Sequence, residues 1–379
     1  MFIKTIDEGH HHKRELWLDD KTRVAHLWVI DHTMRLGHVT VRMAGIGGVY
    51  TEREHRRKGY MRHLFQDTLK YMTDKGYEVS MLFGIENFYN KFGYATALPQ
   101  YRFSLKTRDA EDAVAADSDL VSHPVTAKDM VDVLALYDRC NAERTGSIVR
   151  SPDTFKAFRK GTNWDSRVES RLWRDGTGKL LAYMVWDQDP KAVRVGELHA
   201  ADAAMFPTLL HSLAQQAIEK RCEDITFVMP PDHAFAEFAQ RYGTRWTIVY
   251  PRYSDGMMRI LNQQPLFEKL APELSRRLEQ AAAVRDWVGT LGLRTGLGTT
   301  VLAIDHGTVT VDSDSGDEDR TYDLDLSLPQ WALMQLVMGY RSVRDVVDSP
   351  GVKLVGEEDE LLNALFPRQA PFVWPADYF

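Results

Sequence analysis

The feature that most restricts the fold is a change of period between residues 49 and 62. A strand ending Val49-Tyr50-Thr51 meets a basic turn, Arg56-Arg57-Lys58-Gly59, and a helix start, Tyr60-Met61-Arg62. Before it, β-branched and aromatic residues predict strands over 15–18, 24–31 and 39–50, broken at Asp19-Asp20 and Leu36-Gly37. After it, Met61, Leu64, Phe65, Leu69 and Met72 recur at three- and four-residue steps, the mark of a helix over 61–75 closed by Gly76. A strand over 79–83 and a short helix over 87–92, ended by Gly93, follow. An antiparallel start running into strand–helix–strand order predicts an α/β unit with a mixed sheet. The turn suits an anion, because the first N–H groups of a helix lack intrahelical partners and carry partial positive charge. Arg56, Arg57, Lys58 and Arg62 add charge, and Gly59 lets the backbone approach a pyrophosphate closely. The spacing fits neither the nucleoside-triphosphate loop nor the three-glycine dinucleotide turn.

The rest of the chain restates this theme and then leaves it. Residues 107–125 are polar, rich in Ala and Asp and without period, and read as a linker. Thr126 and Asp129 cap a helix expected to run to Glu143. Strands over 171–173, 180–186 and 193–199, a helix over 203–221, a strand over 225–229 and a helix over 233–242 repeat the first unit. Ala201-Asp202-Ala203-Ala204 stands where a glycine turn would be, so this second unit can share the fold without a phosphate site. A third, α+β unit is predicted from a segment over 257–261, a helix over 265–282, a hairpin of 299–304 with 308–312 through Asp305-His306-Gly307, and helices over 329–338 and 357–365. The expected domains are 1–107, 120–255 and 256–379. Pro367, Pro371 and Pro375 forbid a regular helix at the end, while Phe372, Trp374, Tyr378 and Phe379 should dock the tail.

Composition excludes several classes. With 379 residues, 44 % hydrophobic and 27 % charged, the chain is long enough for two or three domains and typical of soluble globular proteins. No apolar run reaches the roughly 18 residues that span a bilayer, and residues 1–16 hold no apolar signal core, so a cytoplasmic protein with no membrane partner is expected. A net charge of −7 argues against a nucleic-acid partner and suits a cationic small substrate. Cys140 and Cys222 have neither disulfide nor zinc spacing and are expected reduced and buried. His10-His11-His12 has no further ligand at regular spacing and reads as a solvated loop. The acidic run 312–319 lacks the glycine and terminal glutamate of a calcium loop and reads as a polar hairpin loop, so no metal is expected.

Arg56-x-x-Gly59-x-Met61 resembles the acetyl-CoA motif of the GNAT superfamily, Arg/Gln-x-x-Gly-x-Gly/Ala, with Met61 in place of the last small residue. Some thirty residues on, Phe88-Tyr89-Asn90-Lys91-Phe92-Gly93-Tyr94 resembles that superfamily's Tyr-x-x-Phe-Gly-Tyr/Phe block. With the second α/β unit and the aromatic tail, the chain resembles the enhanced intracellular survival (Eis) branch. That resemblance implies a fold class of α/β and α+β: two tandem GNAT-like mixed-sheet domains, the second degenerate, then an α+β domain like sterol carrier protein 2. It also implies a homo-oligomer, a hexamer among the forms. Carried over, it makes Tyr89 the general acid and the terminal carboxylate of Phe379 the general base. Val49, Tyr50 and Thr51 would hold the pantetheine and acetyl carbonyl. Arg56, Gly84 and Ile85 are also assigned to the cofactor, and Arg57, Lys58, Gly59, Tyr60, Met61 and Arg62 to its pyrophosphate. Only about fifty residues precede the turn, so the two N-terminal helices that usually wall the acceptor site are expected to be missing and the pocket more open.

The implied chemistry is transfer of an acetyl group from acetyl-CoA to a primary amine: a polyamine, a lysine or an aminoglycoside-like acceptor. It needs a neutral amine, oxyanion donors and a proton for the departing thiolate. Nearby positive charge is expected to lower Tyr89 from its ordinary value of about 10, and aromatic neighbours to raise the terminal carboxylate from about 3.5. Glu86 and Asp377 are alternatives for holding the acceptor ammonium, against a plainer reading as solvated surface acids. The rival reading is a non-catalytic acyl-CoA or lipid carrier, in which Leu324, Leu326, Leu328, Leu333, Leu336 and Val337 line a cavity rather than a core and Tyr89 is a packing aromatic.

Overall fold

The computed structural model describes residues 1–115, 120–312, 321–356 and 359–379. Four strands open the chain: β1 (Phe2–Glu8), β2 (His11–Trp17), β3 (Arg23–Leu36) and β4 (Val39–Thr51), each antiparallel to the one before. Helix α1 (Tyr60–Asp74) then carries the chain to β5 (Val79–Gly84), which lies parallel to β4, as a helical crossover allows. Leu64, Phe65, Thr68 and Met72 form the buried face of α1. Residues 1–59 hold strands and one 3-10 turn, with no helix ahead of α1. The His tract is not a solvated loop: His11 and His12 lie in β2 opposite Glu8 and Asp7, in a hairpin turned at Gly9 with φ +70. His12 is buried, bonded to Asp7 through Nδ1 and 3.3 Å from Asp31 through Nε2, partners that only strand pairing brings together.

Strands β6 (Ala95–Thr96) and β7 (Gln100–Lys106) lead into the second unit. Its elements are α2 (Thr107–Ala110), β8 (Val121–Pro124), α3 (Met130–Cys140), β9 (Val168–Arg174), β10 (Leu180–Asp187), β11 (Val193–Ala200), α4 (Phe206–Glu219), β12 (Asp224–Phe227), α5 (Ala234–Ala239), β13 (Thr244–Val249) and β14 (Asp255–Ile260). Among the described residues the first sheet runs β1-β2-β3-β4-β5-β14-β6 and the second β13-β7-β12-β11-β10-β9-β8. Sheet membership therefore does not follow the expected boundaries at 107 and 255. β7 pairs into the second sheet between β12 and β13, and β14 returns to the first, where it pairs with β5 and β6 and buries Met257, Met258 and Ile260. Each strand goes where its apolar face is covered. The linker reading also needs correction. Thr107 opens a helical turn, donating from Oγ1 to the Cys222 carbonyl at 2.7 Å, Ala110 is fully buried, and 121–124 is a strand; residues 116–119 lie outside the described residues.

The third unit comprises α6 (Gln263–Gln280), β15 (Val288–Thr295), β16 (Gly298–Asp305), β17 (Thr308–Asp312), β18 (Leu324–Ser327), α7 (Gln330–Val337), α8 (Val343–Val347), β19 (Lys353–Val355) and α9 (Asp359–Leu365). Its sheet runs β17-β16-β15-β18-β19, with the hairpin turn at Asp305-His306-Gly307 in place. The acidic run beyond Asp312 and residues 357–358 lie outside the described residues. Leu324, Leu326, Leu328, Leu333, Leu336 and Val337 are packed together in the core. Cys140 and Cys222 are free thiols and only half-buried. Among the described residues no helix is long and apolar enough to cross a membrane.

Candidate functional site

Pairing between β4 and β5 runs from Met43 with Val79 to Ile46 with Leu82 and then stops. Beyond that point β4 continues on β3 as far as Thr51, and β5 continues on β14 as far as Gly84, so the two parallel strands part into a fork. A bulge turns β4 away: Trp28 pairs with Gly47 and His26 with Tyr50, leaving Gly48 and Val49 opposite one residue. Gly48 has φ +57, and a Cβ there would come 2.7 Å from Trp28 Cδ1, so the bulge requires glycine. Val49, Tyr50 and Thr51 form one arm, and Gly84 and the exposed Ile85 tip the other. Unpaired strand edges present backbone groups that need partners.

At the outer end of the β4 arm, Arg57 and Gly59 both take left-handed conformations, with φ of 63° and 83°. Gly59 is the N-cap of α1 and contributes no side-chain cap, and nothing lies within 4 Å of a Cβ placed on it. The amide groups at the start of α1 therefore open to solvent beside exposed Arg56, Arg57, Lys58 and Arg62. These residues fit a pyrophosphate. Arg56 donates from Nε to the Thr51 carbonyl at 3.1 Å, tying the turn back to the strand, while Tyr60 and Met61 pack against the cluster beneath the helix. At the corresponding place in the second unit Asp202 Oδ1 accepts from the Ala204 amide at 2.8 Å, capping a 3-10 turn, Ala203–Met205, that leads into α4.

Tyr89 begins a 3-10 turn, Tyr89–Phe92, and is buried against Phe65, with ring centroids 5.5 Å apart. A Cβ on Gly84 would come 2.8 Å from Tyr89 Cδ2, so this glycine lets the ring lie against the end of β5. The Tyr89 hydroxyl makes no hydrogen bond among the described residues. Burial pushes the phenol up to about 12, opposite to the expected lowering. Tyr94 is committed elsewhere: its hydroxyl donates to Ser80 Oγ at 2.7 Å, and Ser80 donates to the Ala44 carbonyl at 2.8 Å.

The chain end lies on the other face of the sheet. Phe83 and Gly84 are successive residues of a strand and project to opposite faces. The Phe83 ring meets Tyr378 at 4.3 Å and Phe379 at 5.6 Å. Cβ atoms on Gly45 and Gly47 would come 2.8 Å from the Phe379 ring and 3.3 Å from its terminal carbonyl carbon, so these glycines make room for the terminus on β4. The His32 ring lies tilted against Phe379, with centroids 4.9 Å apart, and burial lowers its imidazole to about 4, leaving it neutral. Lys160 Nζ donates to the Tyr378 carbonyl at 2.5 Å and lies over Trp164. A cleft of about 550 Å³ opens here, lined by His11, His32, Phe155, Lys156, Lys160 and Phe379 among others. Tyr89 and Phe379 thus flank one fork from opposite faces.

Glu86 is exposed. Asp377 is no solvated acid: it is buried and gripped by Arg150 at 2.7 Å, so it cannot serve an acceptor ammonium in the cleft. Sequence reasoning missed Gly45, Gly47, Gly48, Arg150, Lys160 and Trp164. For the glycines a signal existed, since three of them within four positions of an apolar strand mark a bulge or a close approach.

Residues 7–97 match the family model of the acetyltransferase (GNAT) domain. No curated protein matches the chain. Solved structures share its fold at low identity. A conserved protein of Enterococcus faecalis V583 has TM-score 0.73 and 16 % identity over 98 % of this chain and 90 % of that one. A GCN5-related N-acetyltransferase from Kribbella flavida has TM-score 0.70 and 19 % identity over 98 % and 88 %. Eis1 from Mycobacterium abscessus has TM-score 0.67 and 15 % identity over 99 % and 92 %. Residues 7–97 are therefore similar to the GNAT acetyltransferase domain, and the chain as a whole shares its fold with these proteins.

Proposed function

We propose that the chain is an acetyl-CoA-dependent N-acetyltransferase acting on a primary amine by direct attack. The observation that carries this reading is the β4–β5 fork, with Tyr89 on one face and the chain end on the other. Acetyl-CoA, as co-substrate, supplies an activated acetyl thioester. Arg57, Lys58, Gly59, Tyr60, Met61 and Arg62 would hold its pyrophosphate, and Val49, Tyr50, Thr51, Gly84 and Ile85 its pantetheine arm, with Arg56 bracing the turn. Amide groups on the free edge of β4 donate to the carbonyl oxygen as negative charge builds on it. The Phe379 carboxylate, beside a neutral His32, takes the proton of the attacking amine. The Tyr89 hydroxyl, without a hydrogen-bond partner among the described residues and protonated throughout the neutral range, donates to the departing thiolate. A polyamine, lysine or aminoglycoside-like acceptor, a homo-oligomer in the cytoplasm, a degenerate second domain and a sterol-carrier-like third belong to the same proposal. The core packing of the third unit's leucines favours this reading over a lipid carrier.

The test is acetyl-CoA turnover across an amine panel with free-thiol detection, on the native chain, on one extended by a single Gly after Phe379, and on one tagged at Met1. The extension turns the carboxylate into an amide and displaces the charge by about 3.5 Å. Turnover should collapse in the extended protein with acetyl-CoA affinity and melting temperature preserved, and the tag at Met1 should be tolerated. Failure to acetylate any amine refutes the function. An extended protein at the native rate refutes the base.

A further inference from the structure

The second sheet repeats the fork of the first and fills it with the chain's own tail. Strands β11 and β12 are parallel from Val193 with Ile225 to Val195 with Phe227, and one further bond, Val228 amide to Val195 carbonyl at 2.9 Å, closes their pairing. β11 runs on to Ala200 without β12. Into the gap comes Trp374, fully buried, edge-on to His199 of β11 at 4.7 Å and to His233 beyond β12 at 5.6 Å. Its Nε1 donates to Asn141 Oδ1 at 2.8 Å. The 3-10 turn Ala203–Met205 that leads from β11 into α4 is capped by Asp202, so this unit has no counterpart of the open, glycine-capped turn before α1.

Next along the tail, Asp377 enters a buried cluster. Arg150 donates from Nε to Asp377 Oδ1 at 2.7 Å and from Nη2 to Oδ2 at 2.9 Å, while Nη1 and Nη2 each reach the Glu197 carboxylate on β11 at 2.7 Å. Tyr183 donates to Glu197 at 2.6 Å and Tyr137 to Asp377 at 3.2 Å. The guanidinium lies 3.7 Å from the Tyr137 ring centroid, and the side chains of Arg150, Glu197 and Asp377 are 1–3 % exposed. Such a charge set is costly to bury and confers no evident stability over an apolar one, but it defines a position sharply. The position matters because two residues, with a reach of about 7 Å, separate Asp377 from the terminal carboxylate.

We infer that the second fork is a receptor for the C-terminal tail and that Arg150 is a positioning residue that sets the Phe379 carboxylate against β4. The inference rests on the proposed role of that carboxylate. Arg150 acts through Asp377 and touches no reacting atom.

The test combines Arg150→Lys, which keeps the charge but cannot grip both carboxylates, with the one-Gly extension after Phe379. Misplacement of a catalytic group by about 1 Å costs on the order of 100-fold in rate. Arg150→Lys should therefore lower kcat about 100-fold with acetyl-CoA affinity unchanged and one acetyl-CoA bound per chain. The extension should then cost the Arg150→Lys protein little more, because both changes remove the same group. Should Arg150→Lys fail to fold, Asp377→Asn, nearly isosteric, is read the same way. If the extension alone abolishes turnover while Arg150→Lys or Asp377→Asn works at the native rate, or if the two losses multiply, positioning is overturned and the base reading stands. If the extension alone has no effect, the base reading itself has failed and the positioning role falls with it. Two acetyl-CoA molecules per chain would overturn the receptor role of the second fork.

Discussion

Replacing Tyr89 and Tyr94 by Phe, one at a time, separates chemistry from packing within a block of seven residues. The Tyr94 hydroxyl is buried and donates to Ser80, which in turn donates to the Ala44 carbonyl on β4. Tyr94→Phe removes one buried hydrogen bond, a cost of about 1 kcal/mol, rising toward about 3 kcal/mol if Ser80 Oγ is left short of a partner. Tyr89→Phe removes a hydroxyl with no such partner and should leave unfolding within about 0.5 kcal/mol of native. Activity should show the opposite order. A general acid contributes on the order of 100-fold to 10,000-fold, a barrier change of about 3–5 kcal/mol, so Tyr89→Phe should lose that much turnover and Tyr94→Phe almost none. Free-thiol release at saturating acetyl-CoA measures the first effect and chemical denaturation the second. With the phenol raised to about 12 by burial, ionisation of Tyr89 should produce no falling limb in the native pH–rate profile below about pH 11. Native turnover in Tyr89→Phe, or a kinetic loss carried by Tyr94→Phe with its stability intact, would refute Tyr89 as the acid.

Gly59→Asp places a carboxylate at the open start of α1, and at an effective dielectric of 20 a like charge about 4 Å away opposes binding by about 4 kcal/mol. Gly59→Asn meets the same left-handed φ without the charge, so equal acetyl-CoA affinity of the two variants in calorimetry would exclude this site. Glu273 on α6 ties the third unit to the β3–β4 turn by accepting from the His38 amide at 3.2 Å and from Arg276 and Arg277 at 2.8 Å each. Burial pulls its carboxyl up, but the Arg276 hydrogen bonds, the Arg277 charge and the His38 amide together hold it down at about 2 against an ordinary 4.5. The folded value is depressed, so the stabilisation of about 3 kcal/mol is full above pH 4.5 and is lost as pH falls toward 2. Glu273→Gln should remove much of it at pH 7 and flatten the acid limb of the stability curve, and a variant melting like the native protein at both pH 7 and pH 4 would contradict the linkage.

The sequence by itself determined what is decided over a few residues. The period change at Tyr60, the helical face of Leu64, Phe65 and Met72, and the glycine-ended turn at Tyr89 were all legible, because backbone sterics and apolar spacing act locally. Pairing over long range was not. Nothing local distinguishes β7 and β14, which exchange sheets, since a strand's place depends on which distant face covers it. The His tract became a strand because Asp31 and Asp7 were waiting as partners, and β13 and β15 passed unnoticed for the same reason. The Tyr89 shift went the other way because its cause is burial, a sum over neighbours from several elements that no local stretch of sequence displays. Asp377 reads as a surface acid in a proline-rich tail, yet its partner Arg150 is 227 positions away. Only the tertiary structure brought Phe379 against Gly45 and Gly47 on one arm of the fork and Tyr89, 290 residues earlier, against Gly84 on the other, because contacts among two strand ends and a distant tail exist only once the sheets around them have closed.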